Sequence, residues 1–331
     1  MKNIRSLACF ITILLTAAFA VQAFVRERRA KTEEAFVAEK MQAVTLSVGG
    51  IQRHALLHLP AGYDAKKPHP VVIVLHGMGG TPEALALETG MVPKSDAEGF
   101  IAVFPAATRP DMSKPPKFGS NNPAWNDGSG RFHAGEQKVD DVAFIAALLD
   151  HLESGHAVDT RRVYVTGFSN GASMTFRVGL ELSERLAAIA PVSGALWITE
   201  PKVEQPVSLL YLTGTSDPIN PMDGGAPKMA SGSGFKEAPD KAKPPVRDSV
   251  TAWARMLGCQ MEPQTSSAPG VTTERYVGGR GGSEVLFMMI ADQGHVWPGA
   301  KSPLPEFIVG KATQNLNATD AVWDFFKGHP K

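Results

Sequence analysis

The pentapeptide GFSNG at residues 167–171 is the feature that most constrains the fold of this chain. A β-branched and aromatic run at residues 162–166 precedes it and predicts a buried strand. Residues 172–182 follow it, with apolar side chains at helical spacing. Strand, G-x-S-x-G and helix in that order predict a nucleophile elbow, a sharp turn that holds Ser169 where a base can reach it. The alternative is an ordinary surface turn, so the prediction also needs an acid, a base and an oxyanion hole.

The acid of such a site should follow the serine, at the end of a later strand. Residues 207–212 form an apolar run that predicts a strand, and Asp217 lies shortly after it. Asp217 could instead be a turn or cap residue before a proline. Asp292 and Asp223 remain rival acids, although Asp292 is less suited because it lies so close in sequence to the best candidate base.

That base is His295, the best candidate among nine histidines. It lies in the loop after residues 285–290, an apolar run that predicts a strand. A lone loop histidine is usually a solvated residue. Here the order Ser169, Asp217, His295 is the order in which α/β-hydrolases carry nucleophile, acid and base, and this order favours the catalytic interpretation.

A glycine-rich turn, HGMGG at residues 76–80, follows the continuous apolar run 71–75. An α/β-hydrolase places its oxyanion-hole loop after a strand of this kind. Small residues let backbone N–H groups approach a developing negative charge. We therefore expect one donor from Gly77 or Met78, and a second from Asn170, the residue after the nucleophile. The alternative is a strand-to-helix turn that binds no ligand.

Charge and cysteine content exclude several classes of protein. The 331 residues carry 33 Lys and Arg against 33 Asp and Glu, and this balance favours no nucleic-acid partner. The two cysteines are Cys9 and Cys259, so Cys259 has no disulfide partner if the N-terminus is removed. Scattered histidines without an H-E-x-x-H spacing predict no metal site. The glycine turn at 76–80 lacks a P-loop lysine, so we expect no cofactor.

The first 25 residues predict a targeting segment. Lys2 and Arg5 precede an apolar run at 7–20 that ends in an Ala-Phe-Ala cleavage motif. These features predict a signal peptide over residues 1–25 and an exported protein, either secreted or periplasmic. The alternative is an uncleaved membrane anchor, because the apolar stretch extends to Val25 and approaches the roughly 20 residues that a membrane helix needs.

Residues 26–40 are charged and alanine-rich and predict a tether, after which strands alternate with helices. This alternation predicts a single α/β domain over residues 41–331, with a mostly parallel central sheet flanked by helices. A β-hairpin with a Gly-Gly turn should open the domain. Two Gly- and Pro-rich stretches, 105–135 and 218–245, should be long loops. The predicted strands are 44–48, 53–59, 71–75, 100–104, 162–166, 187–192, 207–212, 275–277 and 285–290, and the predicted helices are 81–98, 139–151, 172–182, 249–257 and 318–327.

Six short motifs occur in order along the chain. They are LHGMGG at 75–80, WND at 125–127, VDDVAFI at 139–145, GFSNGA at 167–172, GTSDPINP at 214–221 and GHVWPG at 294–299. Together they resemble the polyhydroxybutyrate depolymerase/feruloyl esterase family, over about residues 45–330. The resemblance implies an α/β-hydrolase fold with Ser169 as nucleophile, Asp217 as acid and His295 as base.

The resemblance also implies a substrate pocket near Trp125 and Trp297. The two indole rings could bind an aromatic acyl group such as a feruloyl, or a short hydroxyalkanoate. Ordinary packing inside the protein is the alternative for both. Met78 departs from the family, whose members often carry cysteine in this loop.

The expected activity is that of an exported serine esterase that hydrolyses carboxylic esters through an acyl-enzyme. Its partner would be a small or oligomeric ester, of the feruloyl or acetyl type or a short polyhydroxyalkanoate, with no nucleic acid. A membrane would be involved only if the N-terminal segment is uncleaved. The alternatives are the same fold acting as a lipase or peptidase, a non-catalytic member that binds a hydroxylated ligand, and a membrane-tethered structural protein.

Overall fold

The computed structural model describes residues 31–227, 242–302 and 304–331. Residues 31–40 form a helix, α1, and the compact unit that contains the sheet extends from Ala43 to Lys331. The predicted signal peptide or anchor at residues 1–25 lies outside the described residues. Nowhere in the described ranges is a helix both long enough and apolar enough to span a membrane.

A ten-stranded sheet forms the centre of the described structure. Its strands are β1 Gln42–Val48, β2 Ile51–His58, β3 His69–Leu75, β4 Ile101–Pro105, β5 Val158–Phe168, β6 Ala188–Val192, β7 Ser208–Gly214, β8 Gln264–Ala268, β9 Val271–Tyr276 and β10 Val285–Ile290. They lie side by side in the order β1-β2-β4-β3-β5-β6-β7-β10-β9-β8. From β4 to β10 the neighbours are parallel, whereas β2, β9 and β8 pair antiparallel. The predicted mostly parallel sheet is confirmed.

The central strands are covered on both faces, as their continuous apolar sequences predict. Residues 71–75 of β3 and 209–212 of β7 are at most 1% exposed. The helices that flank the sheet are α2 Pro82–Thr89, α3 Met91–Glu98, α4 Phe132–Glu136, α5 Asp141–Gly155, α6 Asn170–Glu181, α7 Val246–Leu257, α8 Glu306–Val309 and α9 Ala318–Lys327. Helix α6 packs on β5 and β6, and α9 contacts β5, β6 and β7.

Parallel pairing brings the carboxyl ends of six strands, β3 to β7 and β10, to one side of the sheet. Leu75 pairs with Gly167 near the ends of β3 and β5, and Gly214 pairs with Ile290 at the ends of β7 and β10. Ligand sites of parallel α/β sheets lie outside the carboxyl ends of their strands. The loops that follow these parallel strands can therefore build a site together.

The structure differs from the sequence-based expectation at several elements, including α8, for which no helix is predicted, and the three that follow. The helical segment predicted at 81–98 is two helices, because Gly90 adopts a left-handed φ of 65° that ends α2. Strand β8 is not predicted, because its sequence QTSSA is polar and exposed throughout and lacks the apolar alternation of a half-buried strand. The short helix α4 lies at the end of the stretch predicted as the 105–135 loop.

Candidate active site

Three side chains from different loops form a hydrogen-bonded chain at this edge of the sheet. His295 Nε2 lies 2.8 Å from Ser169 Oγ, and His295 Nδ1 lies 2.7 Å from Asp217 Oδ2. An ionised carboxylate can only accept, so Nδ1 carries the proton and Nε2 of the neutral imidazole is left to accept from the hydroxyl. Such an arrangement can take the proton of Ser169 as its oxygen attacks a carbonyl carbon.

The serine sits in a strained turn between β5 and α6. Its φ of 57° and ψ of −117° are costly for a residue with a side chain, and tertiary contacts hold them. The Ser169 N–H donates to the Val192 carbonyl at 3.0 Å. Helix α6 then passes so close to the end of β3 that a Cβ on Gly171 would lie 2.2 Å from the Leu75 carbonyl oxygen. Glycine is therefore required at position 171.

Asp217 is buried and held by the backbone of its own loop. Its Oδ1 accepts from the N–H groups of Ile219 at 2.8 Å and Asn220 at 2.7 Å. Burial by itself would raise the pKa of this carboxyl, but its attraction to His295 and its hydrogen bonds with His295 and the Asn220 N–H outweigh burial and hold the pKa below its ordinary value. The carboxylate thus stays charged and fixes the orientation of the imidazole.

The two rival acids lie elsewhere. Asp292 and Asp223 are both exposed. The Asp292 N–H donates to the Thr215 hydroxyl at 3.1 Å. Of the three candidates, Asp217 is the acid whose carboxylate meets His295 Nδ1.

The loop at residues 76–80 passes directly against the serine. A Cβ on Gly77 would lie 3.2 Å from Ser169 Cβ. Asn170 is the first residue of α6, so its N–H is one of the first-turn donors without an acceptor inside the helix. Gly77, Met78 and Asn170, the predicted donors, thus lie on the two segments that meet beside Ser169.

Both predicted substrate-binding tryptophans are inside the protein. Trp125 is 0% exposed and Trp297 is 1% exposed. The Trp125 indole N–H donates to the His76 carbonyl at 2.8 Å, and that of Trp297 donates to the Thr319 hydroxyl at 3.0 Å. The expectation that these rings line a substrate pocket is therefore corrected: both rings are buried, so neither presents a face that a substrate can reach.

Two phenylalanines near the site were not predicted. The Phe168 ring lies 4.8 Å from the His295 ring, measured between centroids. Phe118 is 50% exposed and lies against the glycine turn, since a Cβ on Gly79 would meet its Cδ2 at 2.9 Å. Phe168 occupies the variable position of G-x-S-x-G, which carries no residue preference. Phe118 lies in a long polar loop, where no periodic pattern of apolar residues marks it as a site residue.

Neither a metal-binding cluster nor a reactive thiol is found in the part of the chain that the structure describes. There, no group of three or more His, Cys, Asp or Glu side chains could hold a metal ion. Cys259 is buried, and burial raises the pKa of its thiol. The thiol is therefore held in its unreactive protonated form.

Known proteins resemble this chain in sequence and in fold. The family model described as phospholipase/carboxylesterase matches residues 63–226. A Nocardia uniformis subsp. tsuyamanensis protein that bears an esterase name, NocK, is 28% identical over 291 residues, which are 85% of this chain and 81% of that protein. Feruloyl esterase B of Piromyces equi is 28% identical over 254 residues; the match covers 73% of this chain but only 42% of that enzyme.

A solved structure extends the likeness to the fold. The acetyl xylan esterase from Aspergillus awamori superimposes with a TM-score of 0.54 at 16% identity, over 77% of this chain and 94% of that one. At this identity the match bears on the fold alone. It agrees with the mostly parallel sheet and its flanking helices, which are those of an α/β-hydrolase.

Proposed function

We propose that this chain, a carboxylic ester hydrolase with the α/β-hydrolase fold, is an exported serine esterase with Ser169, His295 and Asp217 as its catalytic triad. One observation carries the proposal. A continuous line of hydrogen bonds, 2.7 and 2.8 Å long, joins a buried carboxylate through the imidazole to the serine hydroxyl. This is the geometry that turns a weak nucleophile into a strong one.

The reaction would proceed in two halves. His295 takes the proton of Ser169 as its oxygen attacks the ester carbonyl, and Asp217 stabilises the imidazolium that forms. Backbone N–H groups of the 76–80 turn and of Asn170 stabilise the oxyanion. The imidazolium then protonates the departing alcohol, which leaves an acyl group on Ser169. Water, activated by the same histidine, releases the acid and restores the enzyme.

Replacement of the triad residues tests this mechanism. Ser169→Ala should reduce turnover of p-nitrophenyl acetate to background and abolish labelling by a fluorophosphonate. Asp217→Asn should lower kcat by about 10⁴-fold with little change in KM, because the imidazole loses its orientation and its counter-charge. Full turnover by Ser169→Ala would exclude this serine as the nucleophile.

The substrate class is the second part of the proposal. The relatives carry esterase and feruloyl esterase names, and the half-exposed Phe118 beside the glycine turn suits a flat acyl group. We therefore expect feruloyl or acetyl esters, or short polyhydroxyalkanoate oligomers, to be cleaved. A panel of methyl ferulate, an acetylated sugar, p-nitrophenyl butyrate and hydroxybutyrate oligomers measures the order of kcat/KM. Equal values across the panel would contradict any selectivity for the acyl group.

Export is the third part, and it is supported by the basic and apolar character of residues 1–25. The full chain, expressed in a bacterium, should appear outside the cytoplasm with its N-terminus shortened near residue 20. Mass spectrometry of the mature protein measures the cleavage site. A full-length protein in the membrane fraction would instead favour the anchor.

A further inference from the structure

The WND motif at residues 125–127 has no part in the triad, yet two of its three residues are buried. Trp125 is 0% exposed and Asp127 is 1% exposed. The segment Pro123–Asp127 lies where the turn at 76–80 meets the start of α6. We call this segment the clasp, because it hydrogen-bonds to both.

Two bonds tie the clasp to the glycine turn. The Trp125 indole N–H donates to the His76 carbonyl at 2.8 Å, and the Gly79 N–H donates to the Pro123 carbonyl at 2.8 Å. These bonds bracket Gly77 and Met78, the residues expected to supply one oxyanion donor. The backbone of the turn is thus held on both sides of the donor.

Three more bonds tie the clasp to the elbow through a single side chain. Asn170 Oδ1 accepts from the Trp125 N–H at 2.8 Å. Asn170 Nδ2 donates to the Trp125 carbonyl at 3.2 Å and to Asp127 Oδ2 at 2.8 Å. Asn170 is 3% exposed, so its amide is fully used inside the protein. Its side chain therefore cannot contact the substrate, whereas its backbone N–H is the second expected donor.

The clasp is itself anchored to two helices. The Asn126 N–H donates to Asp141 Oδ2 at 2.7 Å at the start of α5, and Asn126 Nδ2 donates to the Val139 carbonyl at 2.8 Å. From α6, Arg177 Nη1 donates to the Asn126 carbonyl at 2.7 Å. The clasp is thus held in place by two helices, and it hydrogen-bonds in turn to the 76–80 turn and to the elbow.

From this geometry we propose that the clasp is a positioning device for the oxyanion hole. Trp125, Asp127 and the Asn170 side chain fix the relative placement of the donor on the glycine turn and the donor at Asn170. The two donors belong to segments far apart in sequence, and both must come within hydrogen-bond distance of one oxygen atom. The inference rests on the proposed serine esterase mechanism and adds residues that act through the backbone.

Two variants test it. Trp125→Phe removes the indole N–H but keeps an aromatic ring, and Asn170→Ala removes the amide but keeps the backbone N–H. For p-nitrophenyl acetate, kcat should fall about 10- to 100-fold with KM changed less than about threefold, because a misplaced donor weakens transition-state binding. The inhibition constant of a trifluoromethyl ketone, which forms a tetrahedral oxyanion on serine, should rise by the same factor. End-point titration with a fluorophosphonate corrects each rate for the fraction of folded enzyme.

Trp253→Phe is the matched control. Trp253 is also 0% exposed, and its indole N–H donates to the Val207 carbonyl at 2.9 Å, away from the site. It should lose a similar amount of thermal stability while its kcat stays within about twofold of the wild type.

Three results would overturn the proposal. One is a kcat loss in Trp125→Phe and Asn170→Ala no larger than in Trp253→Phe. Another is inhibitor affinity that does not follow kcat. The third is a displaced midpoint in the pH profile of kcat, which would place the effect on His295 and Asp217 instead. A failure of the mechanism itself is recognised separately, because Ser169→Ala would then remain active.

Discussion

His76 is the residue just before the glycine turn, and its two ring nitrogens have different neighbours. The Ala107 N–H donates to its Nε2 at 3.1 Å, so this nitrogen carries no proton. Nδ1 therefore holds the proton and donates to the Gly77 carbonyl at 2.8 Å. Burial, with a smaller effect of Arg53, lowers the pKa of His76 to about 4. Protonation of Nε2 would break the bond to Ala107.

This histidine should make the fold sensitive to mild acid. A histidine with a lowered pKa binds fewer protons in the folded state than in the unfolded chain between about pH 6.5 and pH 4, so the free energy of unfolding falls as pH falls through that window. Between pH 7 and pH 5 we expect a loss of about 2 kcal/mol from His76. Urea unfolding of the wild type and of His76→Gln at both pH values measures it. Equal losses in the two proteins would assign the acid sensitivity to other groups.

Phe118 should influence which acyl groups are accepted. Its exposed ring lies on Gly79, next to the turn that carries Gly77 and Met78. Phe118→Ala should raise KM for methyl ferulate about three- to tenfold through loss of an aromatic contact, and leave KM for p-nitrophenyl acetate unchanged. Steady-state kinetics on the two esters measures the difference.

Met261→Ala is the control for that measurement. Met261 is 40% exposed and follows Gln260, whose N–H donates to Val277. Tyr276 pairs with Val285 at the start of β10. Met261 therefore lies near the amino ends of the parallel strands, whereas the triad lies at their carboxyl ends. The control should leave both KM values unchanged. The same shift on both esters in Phe118→Ala would show that this ring does not distinguish acyl groups.

Two neighbouring acidic residues at the start of α5 have different roles in the structure. The sequence predicts that Asp140 and Asp141 both favour the helix N-terminus. Asp140 does cap the helix, since its side chain accepts from the Ala143 N–H at 2.9 Å. Asp141 is instead fully buried and pairs with Arg53 of β2 at 2.7 Å. It therefore joins the helix to the sheet.

The two acids should differ in their contribution to stability. Asp140→Ala should cost about 1 kcal/mol, the usual value for loss of a helix cap. Asp141→Ala should cost about 3–5 kcal/mol, because it leaves the Arg53 charge buried without its partner. Denaturant unfolding of both variants measures the costs. The double variant Arg53→Met, Asp141→Leu should recover the part of the loss that comes from Arg53, but not the part that comes from the Asn126 N–H, which also donates to Asp141. A double variant less stable than Asp141→Ala would contradict this account.

The elements themselves follow closely from local sequence. Strands β3 and β10 and helices α6 and α9 are predicted within a few residues of their observed bounds, because buried apolar runs and helical spacing are local signals. Strand β8 escapes prediction because its side chains are polar and exposed. It is a strand because it pairs antiparallel with β9, and this pairing is not visible in the sequence of β8 itself.

In the whole molecule, the site and all of the sheet except the first residue of β1 lie within the unit Ala43–Lys331. A chain that begins at residue 41 should therefore keep its thermal midpoint within about 2 °C and its kcat/KM within about twofold of the chain that begins at residue 26. Calorimetry and steady-state kinetics measure both quantities. A large loss of stability would show that residues 26–40 belong to the folded domain and are not a tether.

The α/β class, the elbow at Ser169 and the order of the three candidate catalytic residues can all be predicted from the sequence alone. These rest on neighbours along the chain, where strand, turn and helix signals are local. The other features depend on the tertiary structure. There Asp217, and not Asp292, lies against His295, Trp125 and Trp297 are both buried, and the WND motif bonds to two separate loops. The bonds of the clasp to His76 and Asn170 join residues 49 and 45 positions apart, and such contacts exist only once the sheet has brought separate loops to one edge.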